Sequence, residues 1–440
     1  MPTAGASFGA LRHRNFRLFI FGQFVSLCGS WMQTVALGWL ALTLSNSAFQ
    51  VGLVTTLGAL PVLMFTLYGG VIADRVDKRR ALLLLQSLLL CDALALGLLN
   101  AFGAITMPWV YGLAFFGGLV SAFEIPIRQS FLVELVGKSD LMNAIALNSS
   151  AFNLSRVFGP ALAGTVIATL GTAVCFFLNA ASFLAVLVGL VMITADPALA
   201  TQRHSRRAGV REGVAHIFGS SWPRTLVILV AVFSVFGASF IAMLPVYARD
   251  VLHAGAGGYG ALMSAFGVGA AAGALSIAAA GHRIRREPTA VWAGLSLGSA
   301  LVLLGLLHSF GLALVVLVAA GLSMALNAIM TNTVLQTGAP DYLRGQVVGF
   351  YSFIVVGLNP FGSLQAGWIS EHFGAGTALL TGGSLCFVAA GTAAWRMRRF
   401  EAAPGPLPAV PRMLPGDPPA DAAVLTDADH PPLADSGPRS

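Results

Sequence analysis

Long apolar runs separated by short polar breaks make up most of this chain, with little strand-like alternation of apolar and polar positions. About twelve runs reach the roughly 20 residues that a helix needs to cross a bilayer. The first six fall near residues 16–44, 50–73, 81–101, 107–127, 142–168 and 173–194. The second six fall near residues 225–247, 259–280, 289–308, 311–335, 347–369 and 377–395. The break between the fifth and sixth runs is only Leu170-Gly171-Thr172, short enough for the two to pass as one long helix. Two longer polar stretches divide the pattern. Residues 195–224 gather Arg203, His204, Arg206, Arg207 and Arg211 and separate six runs from six. Residues 401–440 are rich in Pro, Ala and Asp, lose the apolar runs, and read as a disordered tail.

Composition supports spans rather than soluble cores. Hydrophobic residues are 56% of the chain and charged residues only 10%, against about 25% charged in soluble domains. Fifty glycines suit close helix packing in lipid. With the N-terminus cytoplasmic, all of the 25 Lys and Arg residues except Arg156 and Arg249 fall on the cytoplasmic side. That alternation requires an even number of spans and places both termini in the cytoplasm, with the chain in the cell (inner) membrane. The net charge of +7 follows from this orientation. The basic residues form short inter-helix loops rather than one stripe, which argues against nucleic acid as a partner. Cys28, Cys91, Cys175 and Cys386 all sit in spans without metal-ligand spacing. The basic N-terminus followed by an apolar run resembles a signal peptide, but the run is too long and no cleavage pattern follows, so it reads as the first span.

The halves repeat weakly and in parallel. Residues 132–135 and 140–143 followed by Gly159-Pro160 match Val334-Leu335-Gln336, residues 340–344 and Asn359-Pro360, a separation of about 200 residues. The expected fold is an all-α integral membrane protein. Its twelve transmembrane helices form two six-helix bundles in pseudo-two-fold parallel repeat. The expected divisions are residues 1–194, a cytoplasmic linker 195–224, residues 225–400, and the cytoplasmic tail 401–440.

The loop after the second span reads Gly70-Val71-Ile72-Ala73-Asp74-Arg75-Val76-Asp77-Lys78-Arg79-Arg80. It resembles the Gly-x-Leu-Ala-Asp-Arg-x-Gly-Arg-Arg signature of the major facilitator superfamily, and the likeness extends over residues 8–400. Asp77 stands where the superfamily has a glycine, a position where a left-handed residue is easier for glycine; aspartate is among the better substitutes. On physical grounds Asp74 can stabilise a neighbouring helix N-terminus by about 0.3–1 kcal/mol. The resemblance implies a conformational latch between halves made of Gly70, Asp74, Arg75 and Arg79; the alternative is a basic loop that only sets topology.

In the fifth span Arg156 precedes Gly159-Pro160-Ala161-Leu162-Ala163-Gly164. This resembles the Gly-Pro-x-x-Gly-Gly element of the superfamily's exporters and implies that Gly159, Pro160 and Gly164 seal the interface between halves. Small residues permit close approach, and proline removes a backbone donor. Ordinary small-residue packing is the alternative. Phe123 to Val136, residues 143–149, Asn153-Leu154-Ser155-Arg156 and Trp31 to Leu40 together resemble the enterobactin-exporter and macrolide-efflux group of drug:proton antiporters.

No enzyme signature, cofactor motif or metal-ligand set is present. Gly267-Val268-Gly269 lies in a span rather than at a strand–helix turn. Without a Walker sequence, an ion gradient is the natural energy source. Proton coupling needs a group that can change charge inside the membrane, and Glu124 and Asp92 are the acids clearly within spans. The resemblance places Glu124 on the cavity wall, so Glu124→Gln is expected to abolish proton dependence without unfolding the chain. Its alternative role is an ion pair with Arg128. The resemblance implies that Asp92 lies in a peripheral span, where a packed structural role is the alternative. Arg156 sits at membrane depth at a cost of roughly 2.5–3.5 kcal/mol. It can compensate an acid, bind an anionic group, or hold the geometry between halves. Gln33, Asn148, Asn327, Asn332 and Asn359 are candidates for lining a substrate cavity, or for bonding helix to helix. Phe233, Phe236 and Phe240 form an aromatic stripe. The expected function is proton-coupled export of small amphipathic compounds or siderophores by alternating access, carried out by a monomer. Uptake of a polar solute is one rival, and a non-transporting scaffold or sensor is another.

Overall fold

The computed structural model describes residues 9–73, 75–193, 217–219, 221–280, 284–340 and 343–402. Every regular element among them is helical. Inside a bilayer the backbone N–H and C=O groups must pair internally, which leaves helices or a closed barrel. A 3-10 turn at Gly9–Arg12 leads into α1 (Arg14–Ser45), α2 (Ala48–Ala73), α3 (Lys78–Ala101), α4 (Met107–Leu170) and α5 (Thr172–Met192). The second half begins with α6 (Ser221–Val232), a π turn (Phe233–Gly237), α7 (Phe240–Val246) and a second π turn (Tyr247–Val251), which run as one span. It continues through α8 (Gly255–Ala280), α9 (Arg286–Leu306), α10 (Phe310–Thr337), α11 (Arg344–Gly357), α12 (Asn359–Phe373) and α13 (Ala375–Ala402). The described residues up to Met397 belong to one compact unit. Most of the linker 195–224 and nearly all of the tail 401–440 lie outside the described residues.

The spans that run together are the fourth and fifth, not the fifth and sixth. α4 continues through Gly137, where φ 68 and ψ −176 divide it into two limbs, a conformation that suits glycine. α4 and α5 are instead parted by Gly171 at φ 87. Counting both limbs of α4, and α11 with α12 as one span, gives the expected passes. Eleven helices among the described residues are long and apolar enough to cross a membrane. The remaining limb, residues 138–170, is the one that carries Asn148, Asn153 and Arg156.

The kink at Gly137 is held from outside the helix. His13 Nε2 lies 2.9 Å from Asp140 Oδ2, Ala10 N donates to Asn143 Oδ1 at 3.1 Å, and Lys78 pairs with Glu134. The N-terminal turn and the first residue of α3 thus grip the same corner. Half-exposed tryptophans mark both ends of the helices. Trp109 and Trp368 lie towards the end that carries the α1–α2 turn, here termed distal; Trp292 and Trp395 lie towards the opposite, proximal end. This is the distribution of residues anchored at two membrane–water interfaces.

Two seams join the halves. α2 packs on α12, and the second limb of α4 packs on α8. These are spans two with eleven and five with eight, the exchange that a two-fold relating the first six spans to the last six requires.

Candidate transport cavity and its seams

Small residues set how closely the seams approach. A Cβ placed on Gly260 of α8 would lie 2.5 Å from Gly164 Cα and 2.6 Å from Pro160 O. A Cβ on Gly52 of α2 would lie 2.4 Å from Ser363 O. Gly164 and Pro160 therefore sit at the seam with the other half. Gly159 does not: its Cβ position is 2.5 Å from Trp31 Cβ and 2.8 Å from Cys28 O, both of α1.

Polar contacts tie the distal end shut. Glu371 Oε2 of α12 accepts from Ser47 Oγ at 3.0 Å and from Phe49 N at 3.2 Å. It caps the amino end of α2 from the opposite half, where the helix dipole favours an anion. Arg249 Nη1 donates to Asn46 Oδ1 at 2.9 Å and Leu42 O at 3.4 Å, covering the carboxyl end of α1. Deeper, Thr56 Oγ1 donates to Pro360 O at 2.9 Å and Ser264 Oγ to Val157 O at 3.0 Å. Trp39 of α1 stacks on Tyr259 of α8, centroids 6.3 Å apart. The proximal ends differ: a Cβ on Gly70, Gly345 or Gly349 would meet nothing within 4 Å.

Beneath the distal seam lies a cavity of about 440 Å³, lined mainly by α1 to α5, with contributions from the α6–α7 span, α8 and α12. Asp92 of α3 reaches it and is 3% exposed. It can do so because Gly117 of α4 stands in the way with only hydrogen; a Cβ there would be 3.2 Å from Asp92 Oδ2. Gln33 Nε2 donates to Asp92 Oδ2 at 3.4 Å, while the buried Oδ1 has no hydrogen-bond partner. Glu124 is held differently. Its Oε1 accepts from Arg128 Nε at 2.8 Å and Gln86 Nε2 at 3.1 Å, and it is absent from the cavity wall. The placement expected from the resemblance is thus reversed: the acid on the peripheral helix faces the cavity, and the acid on the fourth span is in an ion pair.

Among the five amide candidates, Gln33 and Asn359 line the cavity. Asn327 Nδ2 donates to Ala290 O at 2.8 Å and ties α10 to α9. Asn332 accepts from Gln336 Nε2 at 3.0 Å within its own helix. Asn148 is half-buried on the second limb of α4 and does not line the cavity. Asn179 of α5 is on the cavity wall and was not picked out from the sequence. Its signal was available: it is the one amide side chain in α5, an otherwise apolar helix. The lining hydroxyls of Thr34, Thr55 and Ser121 donate to carbonyls of their own helices, at 2.9, 3.0 and 2.7 Å, which leaves lone pairs as their remaining polarity.

Arg156 has no carboxylate within 4 Å among the described residues, and its buried Nε has no hydrogen-bond partner. Its guanidinium carbon lies 4.7 Å from the Phe266 ring of α8 and 5.8 Å from the Trp31 ring of α1. Each such contact is worth about 0.5–2 kcal/mol. Compensation of an acid, one of its three expected roles, finds no partner here.

In the loop after α2, Asp74 lies outside the described residues. Arg75 is exposed. Arg79 donates from Nε to Leu190 O at 2.7 Å and from Nη2 to Val191 O at 2.8 Å, neutralising the carboxyl end of α5. Asp77 has φ −66 and accepts from Arg80 N at 2.9 Å. It is the N-cap of α3, not a left-handed turn residue. The aromatic stripe is also altered. A π turn at Phe233–Gly237 interrupts the helical register, Phe233 packs against Gly294, and Phe240 meets Phe266 edge-on at 5.2 Å. Phe233 and Phe240 belong to the packed interior.

The model of the family described as "Transmembrane secretion effector" matches residues 5–411. The chain belongs to this family of major facilitator superfamily transporters. It is 27% identical over 367 residues to the multidrug efflux pump Tap of Mycolicibacterium fortuitum, covering 81% of this chain and 89% of the relative. It is 26% identical to the staphyloferrin A transporter of Staphylococcus aureus, covering 81% and 90%. It is also 26% identical to the enterobactin exporter EntS of Escherichia coli, covering 77% and 81%. Among solved structures, a bacterial homolog of the human lysosomal transporter Spinster superposes with TM-score 0.72 at 14% identity, covering 92% of this chain and 100% of that one. The nucleoside transporter NupG does so with TM-score 0.72 at 11% identity, covering 88% and 99%. These two likenesses establish the shared fold.

Proposed function

We propose that this transporter exports small amphipathic compounds or siderophores from the cytoplasm, driven by proton entry, through alternating access of its two halves. The distal end is then the outer face, and the two termini are cytoplasmic. The observation that carries the reading is Asp92: a buried carboxylate with one unpartnered oxygen, on the wall of a cavity beneath a closed distal seam. The relatives described as a multidrug efflux pump and an enterobactin exporter support the substrate classes.

In this reading the chain works as a monomer, with protons and a small molecule as its partners. Asp92 is the coupling carboxylate that stands on the substrate path. Glu124 acts on the proximal side through Arg128 and Gln86, and its charge change would release Arg128. Gln33 and Asn359 contact substrate. Gly164 and Pro160 form the closing seam with α8, and Gly159 fixes α1 against the same limb. Arg156 holds the geometry between halves through Phe266. The loop with Gly70, Asp74, Arg75 and Arg79 acts as the proximal latch.

The test is transport in proteoliposomes with an imposed pH gradient, using a panel of cationic, neutral and acidic amphiphiles and siderophores. Gradient-driven flux that is lost in Asp92→Asn supports the reading. Flux independent of the gradient for every compound would overturn it.

A further inference from the structure

The amides beside Asp92 form a chain with a defined polarity. Asn179 Nδ2 donates to Gln33 Oε1 at 2.6 Å, and Gln33 Nε2 donates to Asp92 Oδ2 at 3.4 Å. Ser182 Oγ lies 3.0 Å from Asn179 Oδ1 and 2.7 Å from Asn179 O. An amide has a donating and an accepting end. With Asn179 occupying the accepting end of Gln33, only the donating end remains for Asp92. The pocket is built around this chain. A Cβ on Gly29 of α1 would lie 2.3 Å from Ser182 Oγ and 2.5 Å from Asn179 Oδ1, so glycine there makes room for both. Gly117 does the same for Asp92.

We propose that Asn179 and Ser182 are positioning residues that lock the Gln33 amide as a donor to Asp92. They thereby favour the ionised carboxylate and leave Oδ1 as the oxygen open to a proton. Neither has a hydrogen bond to Asp92 itself; they act through Gln33. The inference rests on the assignment of Asp92 as the coupling group, made above. Among the described residues no cation lies within 4 Å of Asp92. The groups around it are Gln33 of α1, Gly117 of α4 and Asn179 of α5, and Tyr259 of α8 shares the cavity. The next carboxylate, Glu124, lies about two turns along α4 and is bound by Arg128 and Gln86. The lock is therefore the polar environment that sets how readily Asp92 takes a proton.

The experiment is an infrared pH titration of the full chain in lipid nanodiscs, following the protonated-carboxyl band that disappears in Asp92→Asn. Asn179→Ala frees Gln33 to turn its oxygen towards Asp92, which favours the protonated form. The band then appears at higher pH, by about three- to tenfold in proton affinity, the range of one buried hydrogen bond. Asn179→Leu keeps the volume and gives the same shift if the alanine variant does not fold. Ser182→Ala shifts the band in the same direction by less. A band at the wild-type pH in the Asn179 variants, or one displaced to lower pH, overturns the lock. A residue with a merely structural role would lower protein yield or transport rate without moving the band. If Asp92→Asn retains gradient-driven flux, the coupling assignment fails, while the titration still judges the lock by itself.

Discussion

Gly260→Ala tests whether the close seam between α4 and α8 belongs to one conformation only. The added methyl would lie 2.5 Å from Gly164 Cα, 2.6 Å from Pro160 O and 2.8 Å from Gly164 N. All three are backbone atoms, so no side chain can rotate away and the helices must separate. Overpacking of this kind costs about 1–3 kcal/mol. If the halves part at this seam when the distal end opens, only the closed state bears that cost. The equilibrium then moves towards the distal-open state by about five- to 150-fold. The assay is labelling of Thr55→Cys on the cavity wall, in a chain whose four cysteines are replaced, with an impermeant maleimide added from the distal side. The labelling rate should rise by that factor. An unchanged rate in a normally folded variant would refute the reasoning, because it would mean that the seam stays equally tight in both states.

Glu371→Gln weakens the cap on α2 and should raise the same labelling by about two- to fivefold, the value of an exposed helix-end charge. Arg156→Leu removes a half-buried cation that has no carboxylate partner, together with its contacts to Phe266 and Trp31; its thermal midpoint should equal or exceed that of the wild type, because the cost of the charge outweighs those contacts, whereas a clear fall would show that the ring contacts outweigh it. Glu124→Gln leaves the largely enclosed Arg128 without its anion and should lower the thermal midpoint, with Glu124→Gln/Arg128→Leu restoring it. No recovery in the double variant would mean that the pair is not what Glu124 contributes. Asn359→Ala alters the cavity wall, while Asn327→Ala breaks a tie between α10 and α9. The first should change apparent substrate affinity and the second should lower stability, and the reverse pattern would misplace both.

The fold was largely legible because lipid reduces the problem to length and apolarity. Runs of about 20 residues become passes, and the positive-inside pattern fixes their parity. The failures have local physical causes. The break between residues 127 and 142 shows in the apolar runs, but hydropathy does not tell that the helix continues through it and turns only at Gly137, whose φ of 68 divides α4. The site was less legible. Hydropathy gives the depth of Asp92 but not its direction. The direction depends on Gly117, which lies in another helix and leaves the space for the carboxylate. Glu124 was readable in one respect: its i,i+4 relation to Arg128 foretold the ion pair. For the amides, sequence supplied polarity but not partners. Asn327 bonds a carbonyl of α9, while Asn179, a lone amide in an apolar helix, gains its place only through its bond to Gln33.

The cap that Glu371 places on α2 has a consequence for water. The Phe49 amide is satisfied by the carboxylate of the other half, so opening the distal end leaves both groups to be hydrated. Solvent is then a reactant in the opening step rather than its surroundings. If the distal end opens as proposed, that opening should be sensitive to water activity, and osmotic stress should hold it closed.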